Sequence, residues 1–367
     1  MGASEYKTVL ETRDLTVNFR TYRGEVKALD RVELSLFAHE VLALVGESGC
    51  GKSVTALTIL GLLPQNAYVL GGQILFKGED LLKKSADEMR VVRAEEIAAI
   101  FQDPMTFLNP VLTIGVQVKE AFLVQRGPMW SGAAEDQTES GAVDRNIRDF
   151  LLRKDVPKAQ NGIKMSGGKK ERIAEELSKD ILKLVRLPDP ERILTQYPHE
   201  LSGGMRQRCM IAMALARRPS ILIADEITTA LDVTVQAQIL TLLKELRDTI
   251  EESLTTLLIT HDLSIAAETA DRIVVMYAGN VVEVSSTKEL FRKPLHPYTQ
   301  LLMKCIPDVR KPVIRLESIT GSVPDLIEPP TGCRFHPRCP FVMEICRVNK
   351  PVLKEVSDGH LVHCHLY

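Results

Sequence analysis

The hydrophobic and polar positions near the start of the chain predict a strand, a loop and a helix in that order. Residues 7–20 and 32–45 alternate and then become continuously apolar, ending in the predicted buried strand Val41–Val45. Residues 54–63 have the pattern of a helix, and the loop before them is rich in glycine. A phosphate-binding loop requires this order of elements.

Two later apolar runs predict strands that end at polar residues. Ile221–Ala224 precedes Asp225 and Glu226, and Leu257–Thr260 precedes His261. Two carboxylates at a strand end suit magnesium and water chemistry beside a bound phosphate. Taken without a phosphate loop, the same pair would be an acidic strand cap that faces solvent.

A change of composition indicates an insertion in the middle of the chain. Residues 125–170 are rich in Gly, Ser, Lys and Glu, and we expect helices at 144–153 and 170–185. Residues 165–172 imitate the later segment Leu201–Arg208. No apolar strand ending in Asp-Glu follows them at the same distance, so we interpret them as the start of a helix.

Length and charge limit the class of protein. The 367 residues suggest two domains, and prolines and loops become frequent after residue 294, which places a boundary near residue 290. Lys and Arg number 46 against 48 Asp and Glu, so no overall basic field favours nucleic acid. No signal-peptide pattern occurs, and no apolar run approaches the roughly 18 residues of a membrane span. We therefore expect a chain that stays in the cytosol.

The segment Gly46–Ser53 matches the complete pattern G-x-x-x-x-G-K-[ST]. Glycines let backbone N–H groups surround phosphates, Lys52 reaches the β and γ phosphates, and the Ser53 hydroxyl ligates Mg²⁺. The alternative is a glycine turn that merely joins strand to helix. The expected ATP contacts in this region are Gly46, Ser48, Gly49, Cys50, Gly51, Lys52, Ser53 and Val54.

Five motifs in one order resemble the ATP-binding subunit of an ABC transporter. They are Gly46–Ser53, Phe101–Asp103, Leu201–Arg208, Ile221–Glu226 and His261. The resemblance implies an α/β fold over residues 1–290, with a RecA-like phosphate-loop core, an antiparallel β subdomain and a helical subdomain at about 103–215. Residues 291–367 then form a small, loop-rich C-terminal extension that binds metal.

The resemblance also implies a second half-site, completed in another subunit. The segment Leu201–Gly204 opens a helix whose N–H groups and Ser202 bind the γ phosphate held by the partner. Without the family, Ser202 is a helix N-cap, a role that it can fill as well. The residues expected to bind ATP in trans are Leu201, Ser202, Gly203, Gly204, Gln207 and Asp232.

Further roles follow from the same resemblance. Glu226 polarises the attacking water, Gln102 senses Mg²⁺ and water, and His261 contacts the γ phosphate, so these three are the expected catalytic residues. The Mg²⁺ ligands are Ser53, Gln102 and Asp225. Adenine stacks on an aromatic residue before the phosphate loop, for which Tyr22 is preferred over Phe19. Ile227 replaces the proline that commonly follows the Asp-Glu pair, and we expect activity to persist.

The C-terminal region narrows the resemblance to ATPases of oligopeptide and dipeptide importers. The segments that carry it are Lys293–Thr299 and Gly332–Pro340. Four cysteines cluster here, at positions 333, 339, 346 and 364, and thiols in a reducing compartment favour metal over disulfides. Four thiolates suit an iron–sulfur cluster or zinc. Members with this arrangement carry a 4Fe–4S cluster, so Cys333, Cys339, Cys346 and Cys364 are its expected ligands; zinc and empty thiols stay open.

The expected assembly is a peripheral complex on the cytoplasmic side of the cell membrane. It contains a second, homologous but non-identical ATPase that forms a heterodimer with this chain, two permease subunits and an external solute-binding protein, without nucleic acid. Relatives in this class also move nickel, glutathione or oligosaccharides. Two rival functions are a soluble ABC ATPase acting on ribosomes or DNA, and a redox-regulated module that holds ATP without turnover.

Overall fold

The computed structural model describes most of the chain, which divides into two compact units. The described residues are 7–102, 107–123, 167–227, 232–249, 254–306 and 319–367. The first unit comprises residues 1–89 and 255–367, and the second comprises residues 90–254. The phosphate-loop motif and the C-terminal extension therefore belong to one unit.

The strands and helices are numbered in chain order. The strands are β1 Thr8–Thr21, β2 Gly24–Phe37, β3 Val41–Val45, β4 Ala67–Phe76, β5 Glu79–Asp80, β6 Ile97–Ile100, β7 Ile221–Asp225, β8 Thr255–Thr260, β9 Arg272–Tyr277, β10 Asn280–Ser286, β11 Leu353–Ser357 and β12 His360–His363. The helices are α1 Lys52–Leu60, α2 Ala86–Glu95, α3 Ile114–Leu123, α4 Gly167–Leu184, α5 Pro190–Thr195, α6 Gly203–Leu215, α7 Val233–Thr249, α8 Leu263–Thr269, α9 Thr287–Arg292, α10 Pro297–Lys304 and α11 Glu344–Val348.

The first unit contains the expected antiparallel β subdomain, with strand order β2-β1-β4-β5. Residues 32–45 comprise the end of β2, a turn and β3, so the predicted buried strand Val41–Val45 is confirmed. The turn forms because His39 takes a positive φ of 64° and the Glu40 carboxylate accepts the Phe37 N–H at 2.6 Å.

A second sheet of the first unit positions the phosphate loop, with strand order β11-β12-β10-β9-β3-β8. Strand β3 lies between β8 and β9 and is parallel to both, so it is buried and continuously apolar. The hairpin of β11 and β12 extends this sheet by pairing with β10. The extension, expected to be loop-rich, therefore also contributes strands.

A buried carboxylate fixes the extension to the sheet. Glu283 in β10 is fully buried and accepts the backbone N–H groups of Leu295 at 2.7 Å and His296 at 2.9 Å. The His360 ring lies 2.7 Å from the same carboxylate. A buried carboxylate is costly unless it is hydrogen-bonded, so these three partners make Glu283 a specific anchor.

The second unit combines a parallel strand pair with helices. β6 and β7 pair from Ile97 with Ile221 to Ile100 with Ala224. Helix α3 packs against α4, α5 and α6, as expected of a helical subdomain. Helix α4 confirms the helix predicted near 170–185, and its start at Gly167 confirms the interpretation of the imitating segment. The helix predicted at 144–153 lies outside the described residues.

Within the described ranges, no helix combines the length and apolar character needed to cross a membrane.

Candidate nucleotide site

The phosphate loop, residues 46–53, joins β3 to α1 as predicted. Gly46 is required by space, because a Cβ there would lie 2.2 Å from the Met276 carbonyl oxygen. Gly51 has a φ of 107°, which side chains rarely adopt, and it immediately precedes α1. The first turn of α1 therefore presents backbone N–H groups at the loop, the arrangement that binds anions.

Lys52 is held inside the phosphate loop. Its side chain is buried, and its ammonium donates to the carbonyl oxygens of Gly46 at 2.8 Å and Glu47 at 3.2 Å. Ser48, Gly49 and Ser53 are exposed, so solvent reaches both the loop and the hydroxyl at the start of α1. Cys50 is buried, and this burial raises the pKa of its thiol, so it stays neutral.

His261 lies at the same sheet edge as the phosphate loop. Val45 pairs with Thr260 in the parallel register of β3 and β8, so Gly46 and His261 each follow a paired strand end. His261 is exposed, and Asp262 behind it caps α8 by accepting the Ser264 N–H at 2.7 Å. The first unit thus brings the loop and the histidine to one edge.

In the second unit, the parallel pairing of β6 and β7 brings two predicted catalytic side chains together. Gln102 follows β6, Glu226 follows β7, and the Gln102 amide donates to the Glu226 carboxylate at 3.2 Å. Glu226 has a positive φ of 48°. Asp225 precedes it at the buried end of the strand, and Ile227, where proline is common in the family, packs as a buried side chain.

The signature loop, residues 201–204, begins α6 in the second unit. Ser202 is exposed and caps the helix, its hydroxyl accepting the Met205 N–H at 3.3 Å. Gly204 is close to α7, since a Cβ there would lie 2.6 Å from a Val235 methyl group. Asp232 likewise caps α7, accepting the Val235 N–H at 2.9 Å. The helix-cap interpretation of Ser202 is confirmed.

Three residues predicted to contact ATP differ widely in solvent exposure. Gln207 is only 1% exposed and Leu201 is also buried, so neither side chain faces solvent, and their roles in trans stay predictions. Tyr22 is 98% exposed in the turn between β1 and β2, whereas Phe19 is half-buried in β1. Tyr22 thus offers an unobstructed ring for stacking.

The cysteine cluster of the extension was tested as a metal site. All four thiols, Cys333, Cys339, Cys346 and Cys364, line one cavity. That cavity measures about 10 Å³, room for about one water molecule. Burial, with smaller effects from neighbouring groups including the other thiols, raises the pKa of Cys333 to about 11.

The expectation of a metal-binding extension is therefore not supported. Among the described residues, no group of three or more His, Cys, Asp or Glu side chains is arranged to hold a metal ion. The donor set suits an iron–sulfur cluster or zinc in chemistry, but the described residues show no arrangement of it around a metal ion.

Comparisons with known proteins agree with this geometry. Residues 29–229 match the profile of the family described as ABC transporter. The chain belongs to this family. It is therefore an ABC ATPase, whose ATP hydrolysis is coupled to solute transport. Residues 282–346 match the profile described as the C-terminal region of oligopeptide/dipeptide transporters.

Curated relatives and solved structures extend the match. A probable peptide ABC transporter ATP-binding protein of Sinorhizobium fredii is 47% identical over 97% of this chain and 94% of its own length. The dipeptide transport ATP-binding protein DppD of Bacillus subtilis is 46% identical over 98% and 94%. The ADP- and Pi-bound dimeric ATP-binding cassette MJ0796 has a TM-score of 0.56 at 25% identity, covering 76% of this chain and 98% of that one.

Sequence reasoning missed two residues that contact the phosphate loop. Tyr298 accepts the Glu47 N–H at 3.0 Å, and Arg338 pairs with the Glu47 carboxylate at 2.8 Å. No local sequence pattern predicts either contact, because Tyr298 and Arg338 lie 251 and 291 residues from Glu47 in the chain.

Proposed function

We propose that this ABC ATPase energises the import of peptides. The observation that carries the proposal is the match of residues 282–346 to the C-terminal region of oligopeptide/dipeptide transporters. The similarity of nearly the whole chain to proteins named for peptide and dipeptide transport supports it. Import of nickel, glutathione or oligosaccharide by the same kind of ATPase is the alternative cargo.

The phosphate loop binds the ATP phosphates. Lys52 exchanges its bonds to the Gly46 and Glu47 carbonyls for phosphate oxygens, while N–H groups at the start of α1 point at the same anion. Ser53 and Asp225 supply the hydroxyl and carboxylate oxygens that Mg²⁺ prefers, with Gln102 as a further oxygen ligand. When bound, the ion neutralises charge on the phosphates.

Glu226 accepts a proton from the water that attacks the γ phosphate. The Gln102 amide donates to this carboxylate at 3.2 Å and orients it, and the Gln102 side-chain oxygen would help to hold Mg²⁺. His261 contacts the γ phosphate from the edge that it shares with the phosphate loop. The protein therefore promotes phosphoryl transfer by supplying charge and by positioning the reacting groups, rather than by covalent chemistry.

The signature loop serves the nucleotide of a second ATPase subunit. Ser202 is exposed at the N-terminus of α6, where helix N–H groups and the helix dipole favour a phosphate. Asp232 lies exposed at the start of α7 for the seam between subunits. Two chains close around two ATP molecules, and hydrolysis reopens them.

The working assembly contains this chain, a homologous ATPase, two membrane permeases and an external binding protein. It lies at the cytoplasmic face of the membrane as a peripheral subunit. The wide match to transporter ATPases supports this arrangement and does not favour an action on ribosomes, DNA or RNA.

Uptake by cells that lack the gene tests the cargo. Labelled di- and oligopeptide uptake should be lost, restored by the wild-type gene and not restored by Glu226→Gln. Uptake of nickel, glutathione and oligosaccharide is measured in parallel as the control. Unchanged peptide uptake together with loss of another solute would contradict the peptide assignment and identify the alternative.

A metal centre in the extension is a separate proposal, supported by the convergence of four thiols on one cavity. Iron and zinc are counted in anaerobically purified protein, with a visible spectrum. Iron with visible absorbance supports a 4Fe–4S cluster, zinc without colour supports a zinc site, and neither metal contradicts both.

A further inference from the structure

The C-terminal extension reaches the phosphate loop through one arginine. Arg338 lies at the end of a short 3-10 turn, His336–Arg338, just before Cys339. Its two terminal nitrogens donate to the two Glu47 carboxylate oxygens, at 2.8 and 3.1 Å. This paired geometry is the strongest form of an arginine–carboxylate contact, and it is directional as well as charged.

The other donors of Arg338 hold the guanidinium in place. Nε donates to the Thr320 carbonyl at 3.0 Å, and terminal nitrogens donate to the Tyr277 hydroxyl at 3.2 Å and the Ile319 carbonyl at 3.3 Å. The side chain is only 6% exposed. A guanidinium fixed by this many partners is pre-organised, so little freedom is lost when it holds Glu47.

Glu47 is held at three points. Arg338 binds its carboxylate, the Tyr298 hydroxyl accepts its N–H at 3.0 Å, and the Lys52 ammonium donates to its carbonyl at 3.2 Å. Tyr298 is itself buried against Tyr277, with ring centroids 4.7 Å apart. The residue that joins the extension to the loop therefore also contacts the lysine that meets phosphate.

The negative charge of Glu47 is the reason why its contact with Arg338 affects nucleotide binding. A carboxylate in a loop that receives a polyanion repels it unless a cation neutralises the carboxylate. The Glu47 side chain is 25% exposed, so solvent screens this charge only in part. Arg338 supplies the compensating charge from the extension.

We propose that Arg338 is a positioning residue of the nucleotide site, acting through Glu47 to neutralise and shape the phosphate loop. The inference rests on the proposed binding of ATP phosphates by this loop. It assigns the extension a part in nucleotide affinity that does not depend on any metal.

Binding of ATP and ADP to the purified full-length chain, measured by calorimetry, tests the proposal. Arg338→Met should weaken ATP binding about tenfold, and ADP binding less, because repulsion by an unpaired Glu47 grows with the charge of the nucleotide. Arg338→Lys keeps the charge and should restore part of the affinity.

Arg334→Met is the matched control. Arg334 lies in the same segment, is 4% exposed and pairs with Asp30 at 3.0 Å, so its loss disturbs the extension without removing the Glu47 partner. It should leave ATP affinity within about twofold of wild type. Melting temperatures are measured to check that both variants are folded at the temperature of the binding assay.

The double variant Glu47→Gln/Arg338→Met separates charge from packing. Because Glu47→Gln removes the repelling carboxylate, the double variant should bind ATP within about twofold of Glu47→Gln alone. Equal losses in Arg338→Met and Arg334→Met, wild-type affinity in Arg338→Met, or no rescue in the double variant would each overturn the inference. Failure of the wild type to bind ATP, or unchanged binding in Lys52→Ala, would instead overturn the proposed function of the loop.

Discussion

The phosphate loop and the signature loop begin helices with similar glycine-rich sequences, yet they are supported differently. The phosphate loop has Lys52 folded inside it, and distant residues hold Glu47 from outside. The signature loop carries an exposed Ser202 that caps its own helix. Both use the anion-binding N-terminus of a helix.

This difference shows how one physical device can serve two purposes. A loop that keeps its own lysine can grip a nucleotide within one chain. A loop without such a lysine offers only N–H groups and a hydroxyl, which suits a phosphate already held elsewhere. The comparison predicts that changes in the first loop alter nucleotide affinity, and that changes in the second alter turnover in the assembly.

The largest effect on the ATPase rate is expected from a substitution that removes the catalytic base and leaves both loops intact. Glu226→Gln should lower the ATPase rate about 10²- to 10⁴-fold, since an amide cannot accept the proton of water. Nucleotide affinity should change little, and the closed dimer should accumulate. Steady-state phosphate release and gel filtration with ATP measure these outcomes, and a normal rate would show that Glu226 is not the base.

Loss of the lysine tests the first loop. Lys52→Ala should weaken ATP binding about 100-fold, roughly 3 kcal/mol, because it removes charge-assisted hydrogen bonds to the phosphates. The affinity is measured by calorimetry on the isolated chain. Ser202→Ala is the control and should bind ATP normally; equal weakening in both variants would erase the distinction between the two loops.

The anchor of the C-terminal extension at Glu283 is tested by stability. Glu283→Ala removes the acceptor of two N–H groups and the His360 partner, and should lower the free energy of unfolding by about 2–3 kcal/mol. Urea denaturation measures the change. Glu283→Gln keeps one acceptor and should lose less. If both variants unfold like wild type, Glu283 does not anchor the extension.

The smallest effect on stability is expected in the second loop. Ser202→Ala removes an N-cap and should cost about 1 kcal/mol of unfolding free energy. Ser202→Asp keeps a good cap but adds a negative charge where a partner's phosphate is expected, so it should be stable and slow in ATP turnover of the assembled complex. Full turnover with Asp would argue against a phosphate beside Ser202.

Local patterns predicted the parts of the site that lie along continuous segments. The strand Val41–Val45, the loop after it and the cap at Ser202 all follow from neighbouring residues. The turn between β2 and β3 depends on a positive φ at His39, which the hydrophobic pattern does not predict. The contact of Arg338 with Glu47 was out of reach, since 291 residues separate the partners and only tertiary packing joins them.

The metal prediction shows the opposite limit. The cysteine pattern predicted that the four thiols lie together, and all four line one cavity. Spacing along the chain does not predict the size of that cavity. The sequence favoured Tyr22 over Phe19 for stacking on adenine, but it did not show that Tyr22 is exposed and Phe19 half-buried.

The central claim is that the two loops of one chain serve different nucleotides, so a second ATPase subunit must complete each site. The most direct test compares ATP turnover per chain for the purified monomer, verified by sedimentation, with turnover in the membrane complex. The account predicts ATP binding by the monomer with little turnover, and rapid turnover in the complex. A strictly monomeric chain that hydrolyses ATP as fast as the complex would contradict it.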